Sequence, residues 1–514
     1  MNQKDNTIFK NTLFLYFRMI VVTIVSLFTT RITLQILGVE DFGVFNVIAG
    51  LIGFLGMLNG AMVSATQRFL TFELGKGDIN RYNKVFSMML TVFWMLALII
   101  LFASVFAGNK IIEHFLVIPV QRQNIAKWLL LFSALSFILN LISIPYMSSI
   151  IAYERMSIYA YMSLIEVSLK LLFAYSLYIS PLDKLLTYGG LNTLAIFMVT
   201  LGYIGYCYFK LNGCKFRFYW DKNLFKQLLS YIGWNLFGSI TTILNFQGQA
   251  VILNIFFGPV VNAAKAIADK MNVIVASFST NFYMAVRPRI IKSYAKGDYE
   301  YLYKLVYSST KFSFYLLLII TLPLIVLMNK VLPIWLGAAQ VTQEMIIFSQ
   351  LVLVFSLVNV FEQPITVLIQ ATGNVKKYEI VIGSATLLFI PLCYIVFKCK
   401  APAYYSMILL IVIYILAQWL RMFIAQRQVG LSIKYYCTHI FLPVAITAVP
   451  AYVLSRLFIK ALPDTIVGTI TCALVCFATT LGCVLLIGLN KTERAMLVNR
   501  VQGKILEKIS FRLR

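Results

Sequence analysis

Polar side chains recur at helical spacing within two long apolar stretches of this sequence. Lys265 and Asp269 stand four residues apart, as do Glu166 and Lys170, so each couple lies on one helical face and is expected to pair. Charged groups on apolar helices normally face a protein interior or water, which favours a water-accessible lining here. Hydrogen bonds between helices are the alternative use of such side chains. The stripes comprise Asn235, Asn245 and Gln249 on the first stretch, and Lys265, Asp269 and Asn272 on the second.

Two further charged residues within apolar stretches offer phosphate or ion chemistry. Arg31 lies near the end of the first stretch, and its planar guanidinium fork suits phosphate oxygens. A long basic side chain at that place can instead reach the membrane surface. Glu362 stands two residues before Pro364, and a proline within a helix leaves a backbone carbonyl free. Glu362 is therefore a candidate proton or sodium site, and Asp269 is the second candidate.

Helices must position these residues, because the chain has the composition of a membrane protein. Hydrophobic residues make up 60% of the 514, charged residues only 12%, and mean hydropathy is +0.84. Apolar runs of the roughly 20 residues that cross a bilayer recur along the whole chain. The sequence thus predicts an all-α polytopic membrane protein with about 14 transmembrane helices. The predicted spans are 12–37, 43–66, 85–107, 124–148, 158–179, 188–209, 229–257, 262–286, 311–329, 342–370, 379–397, 403–425, 438–458 and 466–488.

The basic residues are distributed unevenly between the two sides of these spans. Of the 44 Lys and Arg residues, 30 fall on the side that holds both termini, nine on the other side and five within spans. Basic loops stay in the cytoplasm, so both termini are predicted to be cytoplasmic. The net charge of +25 is therefore mainly topological, with anionic lipid headgroups as a partner and nucleic acid excluded.

The sequence offers little for metal, disulfide or nucleotide chemistry. It has two histidines and eight cysteines, no CxxC pair, and cysteines mostly in or beside apolar runs, where a thiol behaves as a small hydrophobe. No GxxxxGK[ST] motif is present, which removes ATP as a direct energy source. We expect no cofactor, and a proton or sodium gradient is the candidate energy source.

The tripeptide KGD occurs twice, each time between two apolar runs, and marks an internal repeat. When the sequence is aligned with itself at a shift of 220 residues, the two KGD tripeptides coincide. From Pro145 onwards, a shift of 219 residues continues the match. An even number of spans per copy predicts two parallel six-helix repeats, related by an axis along the membrane normal. KGD itself is expected to form a glycine turn after the second helix of each copy. The superposed residues are Gly38 and Gly258, Lys76 and Lys296, Gly77 and Gly297, Asp78 and Asp298, Lys84 and Lys304, and Pro145 and Pro364.

The repeat sets the predicted domain organisation. Each copy forms a lobe of six helices, a linker joins the lobes, and two additional helices precede a basic cytoplasmic tail. The predicted boundaries are 1–210 for the N-lobe, 211–228 for the linker, 229–427 for the C-lobe, 428–490 for the last two helices and 491–514 for the tail.

Several motifs together resemble a known superfamily. GKGD at 75–78, VLPIWLG at 331–337 and IQATGNVKKYE at 369–379 resemble the multidrug/oligosaccharidyl-lipid/polysaccharide (MOP) exporters. With fourteen spans, the chain is most similar to the polysaccharide branch, the Wzx-type flippases. The resemblance implies a V-shaped pair of lobes around a central cavity. It also implies that an undecaprenyl-pyrophosphate-linked oligosaccharide, the repeat unit of O-antigen, capsule or exopolysaccharide, is flipped to the periplasmic leaflet by alternating access.

The resemblance further implies a location, partners and residue roles. The location is the bacterial cytoplasmic (inner) membrane. The partners are the lipid-linked oligosaccharide, membrane lipids, and a polysaccharide polymerase with its chain-length regulator. Lys265 is then expected to meet the pyrophosphate, with Arg31 nearer the exit.

Three other functions remain open at the level of sequence. A membrane polymerase or ligase needs a catalytic surface, but the longest outer loop, about 108–123, offers only Glu113 and His114, so an enzyme is not expected. A multidrug antiporter of the same superfamily would carry organic cations and calls for unpaired acids, whereas two of the acids have a lysine four residues away. A scaffold without transport is the third alternative.

Overall fold

A computed structural model describes residues 3–53, 56–114, 119–337, 341–459, 466–490 and 493–494. These residues form helices and short connections, with no β-strand among them, so the predicted all-α class is confirmed. The predicted basic tail lies almost entirely outside the described residues. The helices are α1 Gln3–Gly53, α2 Gly56–Lys76, α3 Ile79–His114, α4 Gln123–Ala152, α5 Met156–Ser176, α6 Lys184–Lys210, α7 Lys222–Lys296, α8 Tyr299–Val326, α9 Met328–Leu336, α10 Gln343–Asn359, α11 Glu362–Thr372, α12 Lys376–Leu387, α13 Phe389–Lys398, α14 Tyr405–Val429, α15 Ile433–Tyr436, α16 Leu442–Ile459 and α17 Ile466–Cys483.

The helices have the length and surface of membrane spans. Among the described residues, twelve helices are long and apolar enough to cross a membrane. One of them, α7, has 75 residues, about 110 Å if straight, which is far more than the roughly 30 Å of a bilayer core and enough for two passages. The second predicted span, 43–66, includes residues outside the described part of the chain. Large apolar side chains cover the outside of the helices, as at Phe106, which is 70% exposed.

Two glycines bend long helices at equivalent places in the two copies. Gly38 in α1 has φ 77° and ψ 172°, and Gly258 in α7 has φ 76° and ψ −171°. This region of φ/ψ space is essentially restricted to glycine, because a side chain would collide with the backbone. The predicted equivalence of the two glycines is therefore visible in the backbone itself.

We expect Gly258→Ala to destabilise the protein by about 1–3 kcal/mol, because alanine cannot adopt the bend without strain. Gly233→Ala is the matched control within α7. A Cβ at Gly233 meets no atom within 4 Å, and alanine favours a helix over glycine by about 1 kcal/mol. Thermal unfolding in detergent should therefore show a loss for Gly258→Ala and none for Gly233→Ala. Equal stability of the two variants would contradict the role of the bend.

Both KGD sequences form the same connection. Gly77 (φ 78°) ends α2 and Gly297 (φ 73°) ends α7, each in the left-handed conformation that glycine adopts freely. Asp78 Oδ1 then accepts the amide of Arg81 at 2.9 Å, and Asp298 Oδ1 accepts the amide of Tyr301 at 3.2 Å. The glycine closes one helix and the aspartate caps the next, which explains the repeated tripeptide physically.

The chain divides into two compact units, each with its own core. The first comprises 1–242, 281–302 and 367–383, and the second comprises 243–280, 303–366 and 384–514. Packing of α4 against α2, α3 and α6 builds the core of the first unit, and packing of α14 against α10 and α13 belongs to the second. The predicted N-lobe and C-lobe do not coincide with these two units, because the first unit contains residues of both predicted lobes. The lobe boundaries therefore stay a prediction.

Candidate functional site

In the second unit, Lys265 and Asp269 form the ion pair that their spacing predicts. Lys265 Nζ lies 2.6 Å from both Oδ atoms of Asp269. The two side chains differ in exposure, with Lys265 2% exposed and Asp269 42% exposed. Lys265 Nζ also lies 5.7 Å from the ring centroid of Phe246, where an ammonium is attracted to the ring face. The carboxylate is therefore the accessible member of the pair, and the ammonium is held behind it.

Two amide side chains of α7 are buried in this unit without a full set of partners. Asn245 is 1% exposed, and neither its oxygen nor its nitrogen has a hydrogen-bond partner. Gln249, one turn later, is fully buried; its nitrogen lies 3.4 Å from the sulfur of Met407, and its oxygen has no partner. A buried amide without hydrogen bonds costs about 1–3 kcal/mol. Both amides therefore keep hydrogen-bonding capacity that no protein group uses.

Asn272, the last member of the predicted stripe, has a different role. Its Oδ1 accepts a hydrogen bond from Ser356 of α10. This contact joins two helices of the second unit, which is the alternative use of a polar side chain inside a membrane.

Glu362 is held by an arginine of another helix. Its Oε1 lies 3.1 Å from Arg421 Nη2, and Arg421 is 2% exposed although the charge count had placed it on the cytoplasmic side. The backbone between α10 and α11 is broken just before Glu362, and the carbonyl of Phe361 accepts a hydrogen bond from the side-chain Nε2 of Gln418 at 3.0 Å. The predicted ion-coupling residue is therefore a carboxylate at a helix break, held by a buried guanidinium.

Asn235 lies in the first unit, within a network that extends across several helices. Its Oδ1 accepts from Gln370 Nε2 at 3.1 Å, and Gln370 Oε1 accepts from Arg287 Nη2 at 3.0 Å. Arg287 also donates to Ser64 Oγ at 2.6 Å. The hydrogen-bond partners of this guanidinium within the network are therefore neutral.

The remaining predicted residue, Arg31, is an exposed side chain of the first unit. The sequence stripe on α7 is thus shared between the units, with Asn235 in the first and Asn245 and Gln249 in the second. Lys265, Asp269, Asn272 and Glu362 also belong to the second unit. Their roles in binding remain predictions.

A cluster near the predicted outer side of the first unit was not anticipated. Arg122 donates to Asp183 Oδ2 at 2.6 Å and to Asp41 Oδ2 at 2.7 Å. Burial raises the pKa of Asp41 in spite of Arg122. Burial also acts to raise the pKa of Asp183, but hydrogen bonds from the Leu186 amide and Arg122 hold it below its usual range. Asp183 caps α6 and clamps Arg122, so this cluster ties helix ends together.

No local signal identifies the partners of these predicted residues. Gln370 and Arg287 are far from Asn235 in sequence. Arg421 lies near the end of its predicted span, where the simpler interpretation is that its charge helps to orient the helix in the membrane. The sequence predicts one span over 342–370, whereas the structure divides it into α10 and α11, with Pro364 in the first turn of α11. Among the described residues, no group of three or more His, Cys, Asp or Glu side chains is placed to hold a metal ion.

Comparison with known proteins shows a partial match to one family profile and a fold shared with solved transporters. Residues 236–395 match the sequence profile of the MatE family. A multidrug resistance MATE family transporter of the MOP superfamily, in an outward-facing conformation, has the same fold. It superposes with a TM-score of 0.71 at 12% identity, over 84% of this chain and 97% of that one.

Two further structures give the same result. A MATE protein in its bent conformation superposes with a TM-score of 0.72 at 12% identity, covering 84% of this chain and 96% of its own. A MOP superfamily transporter from Pyrococcus furiosus, for which reversed polarity of the binding pocket suggests a different function, has a TM-score of 0.71 at 12% identity, covering 84% and 96%. No curated protein matches the sequence. The fold is that of MATE transporters, whereas the polysaccharide branch of the superfamily is not confirmed.

Proposed function

We propose that this protein is an exporter of the MATE type that moves its cargo across a membrane by alternating access. The observation that carries the proposal is the fold, which is shared with MATE transporters over 84% of the chain. The match of residues 236–395 to the MatE profile supports it at the level of sequence. The cytoplasmic membrane, with both termini in the cytoplasm, is the proposed location, supported by the distribution of basic residues.

The first candidate cargo is a drug-like organic compound exchanged for protons or sodium ions. The comparisons support this class better than the flipping of lipid-linked oligosaccharide, because the structural neighbours include a multidrug resistance transporter. Glu362 is the proposed coupling residue, since its ion pair with Arg421 can open when the carboxylate takes up a proton or sodium ion.

The second candidate cargo is an anionic lipid-linked oligosaccharide, and one observation favours it. The acids that lie well inside predicted spans are each in an ion pair: Glu166 with Lys170, Asp269 with Lys265, and Glu362 with Arg421. An organic cation would have to displace a lysine or arginine from each of them. Arg287, by contrast, has neutral hydrogen-bond partners. With this cargo, a polysaccharide polymerase and its chain-length regulator are the proposed partners.

Proteoliposomes that contain only this protein distinguish the two cargoes. Uptake of a fluorescent organic cation under an imposed pH or sodium gradient is expected for the first candidate. Transfer of a polyprenyl-pyrophosphate oligosaccharide to the opposite leaflet, measured by accessibility to a lectin, is expected for the second. Glu166→Gln with Lys170→Met is the control, because it removes an ion pair that we interpret as structural. Transport of neither cargo by well-folded protein would contradict the proposal.

A further inference from the structure

Two turns at equivalent positions of the repeat have the same unusual backbone conformation. The shift that places Pro145 on Pro364 also places Glu154 on Gly373. Glu154 has φ 60° and Gly373 has φ 81°, both in the left-handed region. Glycine adopts this conformation freely and glutamate does not, so the presence of glutamate in the first turn calls for a compensating contact.

Basic residues from the second copy provide that contact. The Glu154 carboxylate lies 3.1 Å from Arg289 Nε and 2.9 Å from Lys292 Nζ, both near the end of α7. The backbone carbonyl of Glu154 accepts from Asn11 Nδ2 at 3.2 Å. Arg289 is 7% exposed and Glu154 is 18% exposed, so the bonds are largely shielded from water.

The equivalent turn in the second copy receives an arginine from the first copy. Arg68 Nη2 donates to the carbonyl of Ala371 at 3.2 Å. A Cβ at Gly373 would lie 2.5 Å from the same nitrogen, so a side chain cannot occupy this turn while Arg68 is in place. The first turn therefore offers a carboxylate, and the second offers a backbone carbonyl.

The helices that carry these cations cross each other at equivalent residues. The 220-residue shift places Gly75 on Ala295, and a Cβ at Gly75 would lie 2.9 Å from the Ala295 Cβ and from the Lys292 Cα. Contact between equivalent residues is what a two-fold axis between the copies produces. All of these residues belong to the first unit.

We propose that these contacts form an inner clasp that closes the transport pathway on the side of the basic loops. The inner clasp comprises Glu154 with Arg289 and Lys292, Arg68 with the turn 371–373, and the crossing of Gly75 with Ala295. These are positioning residues, because they act by holding the two copies together and not by touching cargo. The inference rests on the proposed alternating-access function, in which the pathway must open on this side once in each cycle.

The two halves of the clasp differ in chemistry. The bonds of Glu154 depend on its charge, whereas the bond of Arg68 to the Ala371 carbonyl does not depend on an acid. Burial acts to raise the pKa of Glu154, but Lys292 and Arg289 lower it by more, so it stays below its usual range. Such a group contributes stability above its unfolded-state pKa and loses it only as pH falls through the lowered value. The clasp is therefore fully formed at neutral pH.

The test measures how readily a cysteine on the predicted polar stripe of α7 reacts from the predicted cytoplasmic side. Ser239→Cys lies one turn beyond Asn235 on α7, in a background where the exposed Cys399 and the half-exposed Cys437 are replaced by serine. An impermeant maleimide is added to membrane vesicles of both orientations. Glu154→Gly retains the left-handed turn and removes only the carboxylate contacts, so we expect labelling to be about tenfold faster from that side. Glu154→Lys with Lys292→Glu restores an ion pair and should return labelling towards the original rate.

Gly75→Ala tests the same clasp by a different route. Its methyl group cannot fit against Ala295 and the Lys292 backbone, so the crossing must separate and labelling should again be faster. Gly205→Ala is the matched control, because a Cβ there meets no atom within 4 Å. Unchanged labelling in Glu154→Gly and Gly75→Ala, or an equal rise in Gly205→Ala, would overturn the inner clasp. The labelling assay needs no cargo, so its result is independent of transport. If the expected labelling rates are found but neither cargo is transported, the inner clasp stands and the proposed function is refuted.

Discussion

Asp269→Ala is expected to destabilise the protein by about 3–5 kcal/mol, because it leaves Lys265 as a buried charge without its partner. Lys265 is 2% exposed, whereas Asp269 is 42% exposed and can be hydrated when it is alone. Lys265→Met, which keeps most of the buried volume, should therefore cost clearly less than Asp269→Ala, although both remove the same ion pair. Free energies of unfolding in detergent, from denaturant titrations, provide the comparison. Equal losses of unfolding free energy in the two variants would show that the unpaired, buried charge of Lys265 is not the main cause of the destabilisation.

The double variant Lys265→Ala with Asp269→Asn separates stability from transport. It removes both charges, so stability should return close to that of the unmodified protein. If Lys265 meets an anionic cargo, flipping in proteoliposomes should still fall to a small fraction. Arg31→Ala is expected to act in the same direction, and Arg31→Lys should retain part of the activity, because it keeps the charge and loses the fork. Normal transport by a stable double variant would make Lys265 only one half of a structural pair.

Arg421→Ala is expected to have a similarly large effect, by leaving Glu362 without its buried partner. Breaking a buried pair costs about 3–5 kcal/mol, and the value here should lie near the lower end because Glu362 is 25% exposed. Arg421→Met with Glu362→Gln removes both charges at similar volume and should restore most of the stability. If Glu362 couples transport to an ion gradient, this double variant should bind cargo yet fail to respond to an imposed pH or sodium gradient.

The matched control for this pair is Glu166→Gln with Lys170→Met, which removes an ion pair on α5. It should retain both stability and the response to the gradient. Full gradient-driven transport by Arg421→Met with Glu362→Gln would exclude Glu362 as the coupling residue. Loss of the response in the control as well would indicate a general effect of removing membrane charges.

The sequence predicts those features of the fold that depend on neighbouring residues. Hydropathy predicts the helices because the thickness of a bilayer sets their length. The i,i+4 spacing predicts the two lysine–carboxylate pairs because residues four apart lie on the same face of a helix. The sequence places Gly38 and Gly258 at turns between two spans, and the structure shows each as a bend within one helix. The two KGD connections follow from backbone sterics, which act within a few residues. Repetition at a fixed distance made these local signals recognisable as parts of two copies.

Contacts between distant residues could not be predicted in the same way. Glu154 and Arg289 are 135 residues apart, and nothing in the sequence around either one identifies the other. The stripe on α7 was predicted as one face, but it is shared between two units because the helix is long enough to belong to both. Specific cargo residues are harder still, since affinity depends on which polar atoms lack partners in the folded protein, as at Asn245.

The two bent glycines also mark the part of the chain in which the spacing of the two copies is constant. Gly38 and Gly258, and then the two KGD connections, keep one spacing of 220 residues, whereas Pro145 and Pro364 are one residue closer. The length difference therefore arose between Lys84 and Pro145, or between their counterparts in the second copy. That interval contains the longest connection on the predicted outer side. The bends and the KGD connections keep this spacing because each depends on a single glycine conformation, either at a bend within a helix or at the junction of two helices.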